Sequence, residues 1–440
     1  MSDLSPFTID EVVRQYIDFR GRTPLKIGME WGGGEIRALS ANNVEMGRVN
    51  FEKDAHLGSD ALYRRWMTKG DCERGDILFT TEAPLGNVAQ IPDDKRYILS
   101  QRVILLKANP EVAESDYLCH LFQTPSFQSQ LYRNSTGTTV IGIQQARLAR
   151  LSVELPPKPE QKKIARILTT LDNLIEKTEA LIAKYQAIKQ GMMHDLFTRG
   201  VDSNGQLRPT HEQAPDLYEV DGDTMYPKSW ERCRLREYAD VSGGITLGRK
   251  LDEKLTVQLP YLRVANVQDG YLDLTEMKTV PVLKSEIDRY LLQPGDVVMT
   301  EGGDFDKLGR GTVWDGQITP CLHQNHVFRV RPHSEALNSA FLSHLTGSAY
   351  GRHYFLMCAK QTTNLASINA TQVKSFPLIR PTPEEQGMIV ERIAAIDGKI
   401  GIEKRHVSKL RSMKSGLMQD LLTGKVRVTV DGAEEVAANG

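Results

Sequence analysis

Few stretches of this chain have the residue types to do chemistry on their own. Residues 243–250, GGITLGRK, hold the glycines and cations of a phosphate-cradling loop, but Arg249 stands where such a loop needs lysine and Lys250 where it needs Ser or Thr. Residues 92–95, PDDK, offer paired carboxylates in what reads as a turn, and no second spaced acidic element follows to complete a nuclease site. The glycines Gly32, Gly33 and Gly34 lack the strand and helix a nucleotide turn requires. Ten histidines include no HExxH, and His323, Gln324 and His326 have no evident metal partner in sequence. Methyl transfer to an amino group would need an Asn- or Asp-Pro-Pro-aromatic loop with a Gly-rich adenosylmethionine turn, and neither is present. Any catalysis is therefore expected from partners.

What the chain does contain is a repeat. Residues 156–200, PPKPEQKKIARILTTLDNLIEKTEALIAKYQAIKQGMMHDLFTRG, recur at an offset of 225 without a gap: Gln161 falls on Gln386, Ile164 on Ile389, Asp172 on Asp397, Lys189 on Lys414, Asp195 on Asp420 and Thr198 on Thr423. Both copies read as long helices. In the first, Ile164, Leu171, Tyr185 and Met192 share a heptad row broken by Thr178, while Leu168, Ile175, Ile182 and Leu196 share a second broken by Lys189. Ile167, Leu174, Leu181 and Ile188 form a third row. The second copy keeps two rows, Ile389, Ile396, Leu410 and Leu417 beside Ile393, Ile400, Val407 and Leu421, but its third has become Arg392, Lys399, His406 and Met413. Helices of this kind would run about 57 Å at 1.5 Å per residue, and stripes so apolar need cover. The simplest cover for one copy is the other, as a coiled pair.

The repeat extends into the segments before each helix. Asn43, Val44 and Gly47 recur as Asn266, Val267 and Gly270, and Gly75-Asp76-Ile77-Leu78 recurs as Gly295-Asp296-Val297-Val298. Gln101 meets Gln324, Leu85-Gly86 meets Leu308-Gly309, and Ile143 meets Ile368. Each globular part reads as short strands punctuated by Gly, Asn and Asp, with ILFT and VVMT as buried strands after tight turns. RVILLKANP and HVFRVRP read as further strands, and a helix carrying Tyr117, Leu118, Leu121 and Phe122 is mirrored by one carrying Phe341, Leu342 and Leu345. LSVELPP and SFPLIRP close the two parts, their prolines stiffening the entry to the helix. The expected organisation is a globular part at 1–155, a helix at 156–200, an aperiodic linker at 201–226, a second globular part at 227–379, a second helix at 380–425 and a tail at 426–440 that adds one short strand.

Composition bounds the reading. With 440 residues, 40% hydrophobic and 25% charged, two or three soluble domains are expected. No apolar run reaches membrane-spanning length and the start lacks a signal peptide, so a cytoplasmic protein away from membranes is expected. Five scattered cysteines, Cys72, Cys119, Cys233, Cys321 and Cys358, fit a reducing compartment and argue against a structural zinc site. Net charge is −1; residues 1–155 hold 18 Lys plus Arg against 20 Asp plus Glu, and residues 227–380 hold 19 against 16. Charge alone therefore gives no nucleic-acid signal, and any such binding must use basic residues gathered on one face or phosphate contacts from a partner.

Two globular parts, each followed by PKPEQ or PTPEEQ, a heptad helix and GMMHDLFTRG or GLMQDLLTGK, resemble the specificity subunit of type I restriction-modification systems over almost the whole chain. The resemblance implies an α+β protein with two pseudo-repeated target-recognition domains separated by an antiparallel two-helix coiled coil. Each domain would read one half of a split target in double-stranded DNA. The helices would dock two methyltransferase subunits and, through them, motor-nuclease subunits. This chain would itself bind no cofactor; S-adenosylmethionine, ATP and Mg would belong to those partners, and the chain would be a non-catalytic subunit. The runner-up is a duplicated scaffold that recruits proteins without reading DNA.

Reading bases needs side chains such as Arg for guanine and Asn or Gln for adenine, presented on loops. In the first half the candidates are Arg37, Asn42, Asn43, Gln101, Arg102, Thr138, Thr139 and Gln144. In the second they are Arg263, Asn266, Gln324, Asn325, Lys360, Gln361, Thr363 and Asn364. Asn43, Asn266, Gln101 and Gln324 occupy matching places in both halves, which favours a structural role in turns. The divergent neighbours, Arg102 against Asn325 and Thr139 against Asn364, are the stronger candidates for specificity.

Overall fold

The computed structural model describes residues 4–54, 56–222, 224–303, 308–333, 335–361 and 366–430. They form two compact units, residues 1–180 with 404–440 and residues 181–403. Each unit holds one globular part, the start of one long helix and the end of the other.

In the first unit, strands Val13–Asp18, Val103–Ala108, Ile77–Thr80 and Val88–Gln90 form an antiparallel sheet in that order. Every residue of Ile77–Thr80 is buried, as its continuous apolar run requires of a central strand. The Gly75-Asp76 turn before it is held from below: the Asp76 carboxylate accepts from the Glu73 amide at 2.8 Å and from the Lys107 ammonium at 2.9 Å. A second sheet sets Ile36–Leu39 between Leu57–Gly58 and Tyr97–Leu99, parallel to the latter. Helix Ser115–Phe122 buries Tyr117, Leu118, Leu121 and Phe122. Ser5–Thr8 pairs with Ser152–Leu155 and closes the part beside the helix entry.

The second unit repeats the plan. Its four-stranded sheet runs Ala239–Ser242, Val327–Pro332, Asp296–Thr300, Gly311–Trp314. Asp296 accepts from the Gln293 amide at 2.7 Å, and Arg331 replaces Lys107 as its cation at 2.6 Å. Thr256–Leu262 lies between Lys278–Leu283 and Leu322–His323, again parallel to the latter. Glu231–Arg234 pairs with Pro377–Arg380 as the closing strands. The α+β architecture and its internal duplication thus extend from the order of elements to individual ion pairs.

The long helices are Lys158–Thr198 and Pro383–Leu421. In the first unit they run antiparallel: Leu421 and Leu422 join the core around Ile164 and Leu168, Lys414 meets Asp172 at 2.5 Å, and Arg411 meets Glu179 at 2.5 Å. In the second unit they also run antiparallel, with Leu196 and Phe197 in the core around Ile389 and Ile393, and Lys189 on Asp397 at 2.7 Å. Lys189 and Lys414 are the residues that break one heptad row in each copy. A row interrupted by a lysine finds the other helix's aspartate there, which fixes direction and register.

A glutamine joins each globular part to its helix. The Gln161 amide donates to the Val112 carbonyl at 3.1 Å and the Pro156 carbonyl at 2.9 Å, and its oxygen accepts from the Glu114 amide at 3.0 Å. Gln386 does the same with Ala336 at 3.1 Å, Pro381 at 2.9 Å and Asn338 at 2.8 Å. The preceding glutamate receives an arginine from the segment that follows the opposite helix: Arg208 on Glu385 at 2.5 Å, and Arg427 on Glu160.

Three expectations change. The tail forms no strand among residues 426–430; it lies along the first unit with Val428 against the core. The segment 201–226 is built rather than aperiodic, since it carries Arg208 and a hairpin of Tyr218–Asp221 with Thr224–Pro227. The third heptad row of the first helix is not covered as a stripe, because a helix pair buries a seam of only two rows. Leu174 and Ile188 are 43% and 45% exposed.

Candidate nucleic-acid interface

The sequence candidates of the first unit lie around one rim, where the central strand Ile77–Thr80 runs out. There the Thr81 amide donates to the Arg102 carbonyl at 3.0 Å, and the Thr81 carbonyl accepts from the Ile143 amide at 3.0 Å. The turn at 100–102 and the loop at 136–143 are thereby held on either side of the strand end. The Ala41 amide bonds the Gln101 carbonyl at 3.1 Å and brings up the 40–43 turn. Arg20, clamped on Asp18 with Nη2 to Oδ2 at 2.7 Å, donates to Thr81 Oγ1 at 2.9 Å and stiffens the same place.

Arg102 is exposed and its backbone sits in the left-handed region, φ +62°, which costs a residue with a side chain about 1 kcal/mol or more. Its Nε lies 3.6 Å from Glu82 Oε1. Thr138, Thr139 and Gln144 are exposed on the neighbouring loop, and Asn42 is exposed with its amide 3.5 Å from Asp54. Arg37 is half-buried, donating to the Phe51 carbonyl with its guanidinium 5.6 Å from the Phe51 ring centroid, so less of it faces outward.

Asn43 and Asn266 are a matched pair of turn builders. Asn43 is fully buried, accepting from the Ser40 amide at 2.9 Å and donating to the Asn50 carbonyl at 3.1 Å. Asn266, 3% exposed, accepts from the Arg263 amide at 2.9 Å and donates to the Asp273 carbonyl at 2.8 Å. This corrects the placing of Asn266 among base readers, because its amide is already spent on backbone. Arg263 is half-buried, with Nη2 on the Glu276 carbonyl at 2.8 Å.

The second unit has the same rim, and it corrects one alignment. The Glu301 amide donates to the His326 carbonyl at 3.0 Å, and the Ile368 amide donates to the Glu301 carbonyl at 2.8 Å. His326, not Asn325, therefore stands where Arg102 stands: Leu99 and His323 hold the same place beside Leu39 and Leu262, the two turns are of equal length, and Gln324 matches Ser100 rather than Gln101. The offset of 224 between Val103 and Val327, which the structure carries back through the turn to Leu99 and His323, was the signal in the sequence. His326 Nδ1 lies 2.5 Å from the Glu301 carboxylate, and Asn325, half-buried, has its amide nitrogen 3.4 Å from His326 Nε2. Each rim thus presents a nitrogen base beside a glutamate. Lys360 is exposed at the edge of a small sheet formed with Gly302–Gly303 and Ala366–Ser367, and Gln361 continues its strand. Thr363 and Asn364 lie outside the described residues. Gln101 is exposed and Gln324 half-buried.

Sequence reasoning also passed over Arg133 and Arg147. Both are exposed beside the first loop, with Arg147 Nη1 3.5 Å from the Asn134 carbonyl, and among the described residues neither has a carboxylate partner. They supply the local cations that a net charge of −1 conceals. The motifs set aside on sequence have structural uses. Asp93 accepts from the Lys95 amide at 3.0 Å within its turn. Arg249 pairs with Glu286 at 2.8 Å. A Cβ at Gly244 would sit 1.9 Å from the His323 carbonyl oxygen, so that glycine permits two segments to touch. Among the described residues no group of His, Cys, Asp and Glu is placed to hold a metal ion, and no helix is long and apolar enough to cross a membrane.

The family described as type I restriction modification DNA specificity domain matches residues 68–186 and 227–411, once in each half. The type I restriction enzyme MjaVIII specificity subunit of Methanocaldococcus jannaschii is 27% identical over 358 residues, 80% of this chain and 79% of that one. The type I restriction enzyme EcoKI specificity subunit of Escherichia coli is 23% identical over 317 residues, 71% of this chain and 65% of that one. Among solved structures, the S subunit of the type I restriction-modification system from M. genitalium matches 96% of both chains with a TM-score of 0.56 at 15% identity, a likeness of fold.

Proposed function

Because the chain belongs to the type I restriction-modification DNA specificity family, we propose that it is the DNA-reading subunit of such a complex, with one half of a split target read at each rim. The observation that carries this is the repeated rim itself: one strand end with the same two backbone bonds, to a turn and to a loop, in both units but bearing different side chains. A matched frame with divergent tips is what two readers of unlike half-sites require. The proposed readers are Arg102, Asn42, Thr138, Thr139 and Gln144, with a lesser part for Arg37, in the first half. In the second they are His326, Asn325, Lys360 and Arg263, together with Thr363 and Asn364, which lie outside the described residues.

The long helices are proposed as the ruler between half-sites. At 41 and 39 residues they are about 60 Å long. The exposed Leu174 and Ile188 support docking of two methyltransferase subunits along them, with motor-nuclease subunits recruited in turn. On this reading the chain is non-catalytic and cytoplasmic, and S-adenosylmethionine, ATP and Mg act on those partners.

The test is methylome sequencing of cells carrying this chain with its methyltransferase. A bipartite motif with a fixed gap is expected. A continuous motif, or none together with no gel shift on selected duplexes, would favour the scaffold reading instead.

A further inference from the structure

The loop at 136–142 has an unexpected tip. Val140 and Ile141 are 48% and 44% exposed, although the next residue, Ile143, is buried in the core at 4%. The loop is not loose. Thr136 and Gly142 exchange two backbone hydrogen bonds of 2.9 Å each, and Gly142 bridges to Glu82 at the strand end. Gly137 has φ +120°, and a Cβ there would sit 2.0 Å from the Val140 carbonyl oxygen, so only glycine closes the turn so tightly. Gly137 and Gly142 carry no Cβ, and the two apolar side chains between them lie exposed on a short, pinned ring. The loop itself carries the exposed Thr138 and Thr139, exposed Arg133 precedes it, Arg147 Nη1 lies 3.5 Å from the Asn134 carbonyl, and Arg102 Nε lies 3.6 Å from Glu82, the residue bridged to Gly142.

We propose that Val140 and Ile141 enter duplex DNA as an apolar wedge at a base step of the first half-site. The inference deepens the proposed function and rests on it. An apolar tip on a loop whose own residues and flanking segments carry hydroxyls and arginines suits a partner that is apolar within and anionic at its edges, which describes stacked bases between phosphate strands. Rigid β-branched side chains lose little rotamer freedom on insertion. In the second unit the bond from Ile368 to the strand end, equivalent to that of Ile143, places Ala366, small and 2% exposed, where Ile141 stands, and the rest of that loop, residues 362–365, lies outside the described residues, so the exposed apolar pair is described in the first unit. Wedging is therefore assigned to the first half-site.

The experiment uses the full chain assembled with its methyltransferase subunits and duplexes of the mapped target. 2-Aminopurine is placed in turn at first-half positions other than the modified adenine. Brightening at one step on binding is expected, and the variant V140S/I141S should lose that signal and bind on the order of tenfold more weakly, about 1.4 kcal/mol. Its salt dependence should be unchanged, since phosphate contacts stay intact. As both side chains are exposed, the variant should melt with the wild type. Target binding without brightening, or an undiminished signal in the variant, overturns the wedge while leaving the reading of function in place. Loss of methyltransferase co-purification by V140S/I141S assigns the tip to protein docking and also overturns it. Failure of the wild-type complex to prefer its target over random duplex overturns the function on which the wedge depends.

Discussion

The ammonium of Lys414 lies 2.5 Å from the Asp172 carboxylate, and its repeat equivalent, Lys189, lies 2.7 Å from Asp397. Each pair joins the two long helices within one unit. Asp172 also stands 3.8 Å from Nδ1 of the buried His120. Replacing Lys414 by Glu should lower the melting temperature, and adding Asp172→Lys should recover part of it. The double-mutant cycle should return a coupling of about 1 kcal/mol; strict additivity would show that register is set by the apolar rows alone.

Burial, with the Lys414 ammonium nearby, pushes the His120 imidazole down to about 3. A group that titrates lower in the folded than in the unfolded chain adds stability above its unfolded value, near 6.5, and that stability is lost as pH falls. Between about pH 6.5 and 5 this histidine should contribute a slope of up to about 1.4 kcal/mol per pH unit. The gap in stability between wild type and His120→Gln should therefore narrow from pH 7 to pH 5. A constant gap would mean that His120 is already free to protonate.

Lys107 is 5% exposed, and its ammonium is held by Asp76 at 2.9 Å and Glu73 at 3.0 Å. Asp76→Ala strips the more buried of those partners and should cost about 3 to 5 kcal/mol. Denaturant unfolding checks this, and Asp76→Ala with Lys107→Met should recover much of the loss. A single variant within 1 kcal/mol of wild type would show that Glu73 and water suffice.

Gln386→Leu keeps the bulk but leaves the Pro381 carbonyl and the Asn338 amide without their partner, and the Ala336 carbonyl with the Arg380 guanidinium alone at 3.1 Å. A loss of about 3 kcal/mol is expected, and Gln161→Leu should match it in the first unit. Calorimetry of the two variants compares the joints directly. Very unequal losses would argue that the twin geometry hides unlike energetics.

Arg102→Ala should relax discrimination at one base of the first half-site by about 1 to 3 kcal/mol without altering the second, and His326→Ala should do the converse. Methylated motifs from cells carrying each variant report both halves at once. Relaxation in both halves from one change would break the assignment of one rim to one half-site.

Much of the scaffold was legible in sequence because it repeats. An offset of 225 found both helices, and the heptad rows with their lysine interruptions contained the antiparallel pairing. The Gly-Asp turns, the central strands and the structural roles of Asn43 and Asn266 followed from local chemistry. The rim was less legible because it is assembled from backbone hydrogen bonds among segments 20 to 60 residues apart, which leave no mark on residue type. The chance match of Gln101 with Gln324, one residue out of the structural register, hid His326, and overall charge hid Arg133 and Arg147. The hairpin at 218–227 was missed because its two strands are short and flanked by turn formers, so no period of two could emerge.

The glutamine joint settles how this protein can change over generations. Within the one chain, two descendants of an ancestral segment have kept Gln161 and Gln386 with the same three bonds, while their tips have drifted from Arg102 to His326 and from Ile141 to Ala366. The coupling to the helix and the tips share no side chain. Drift at the tips therefore leaves the mechanical frame intact, and new recognition can arise by substitution without rebuilding the molecule.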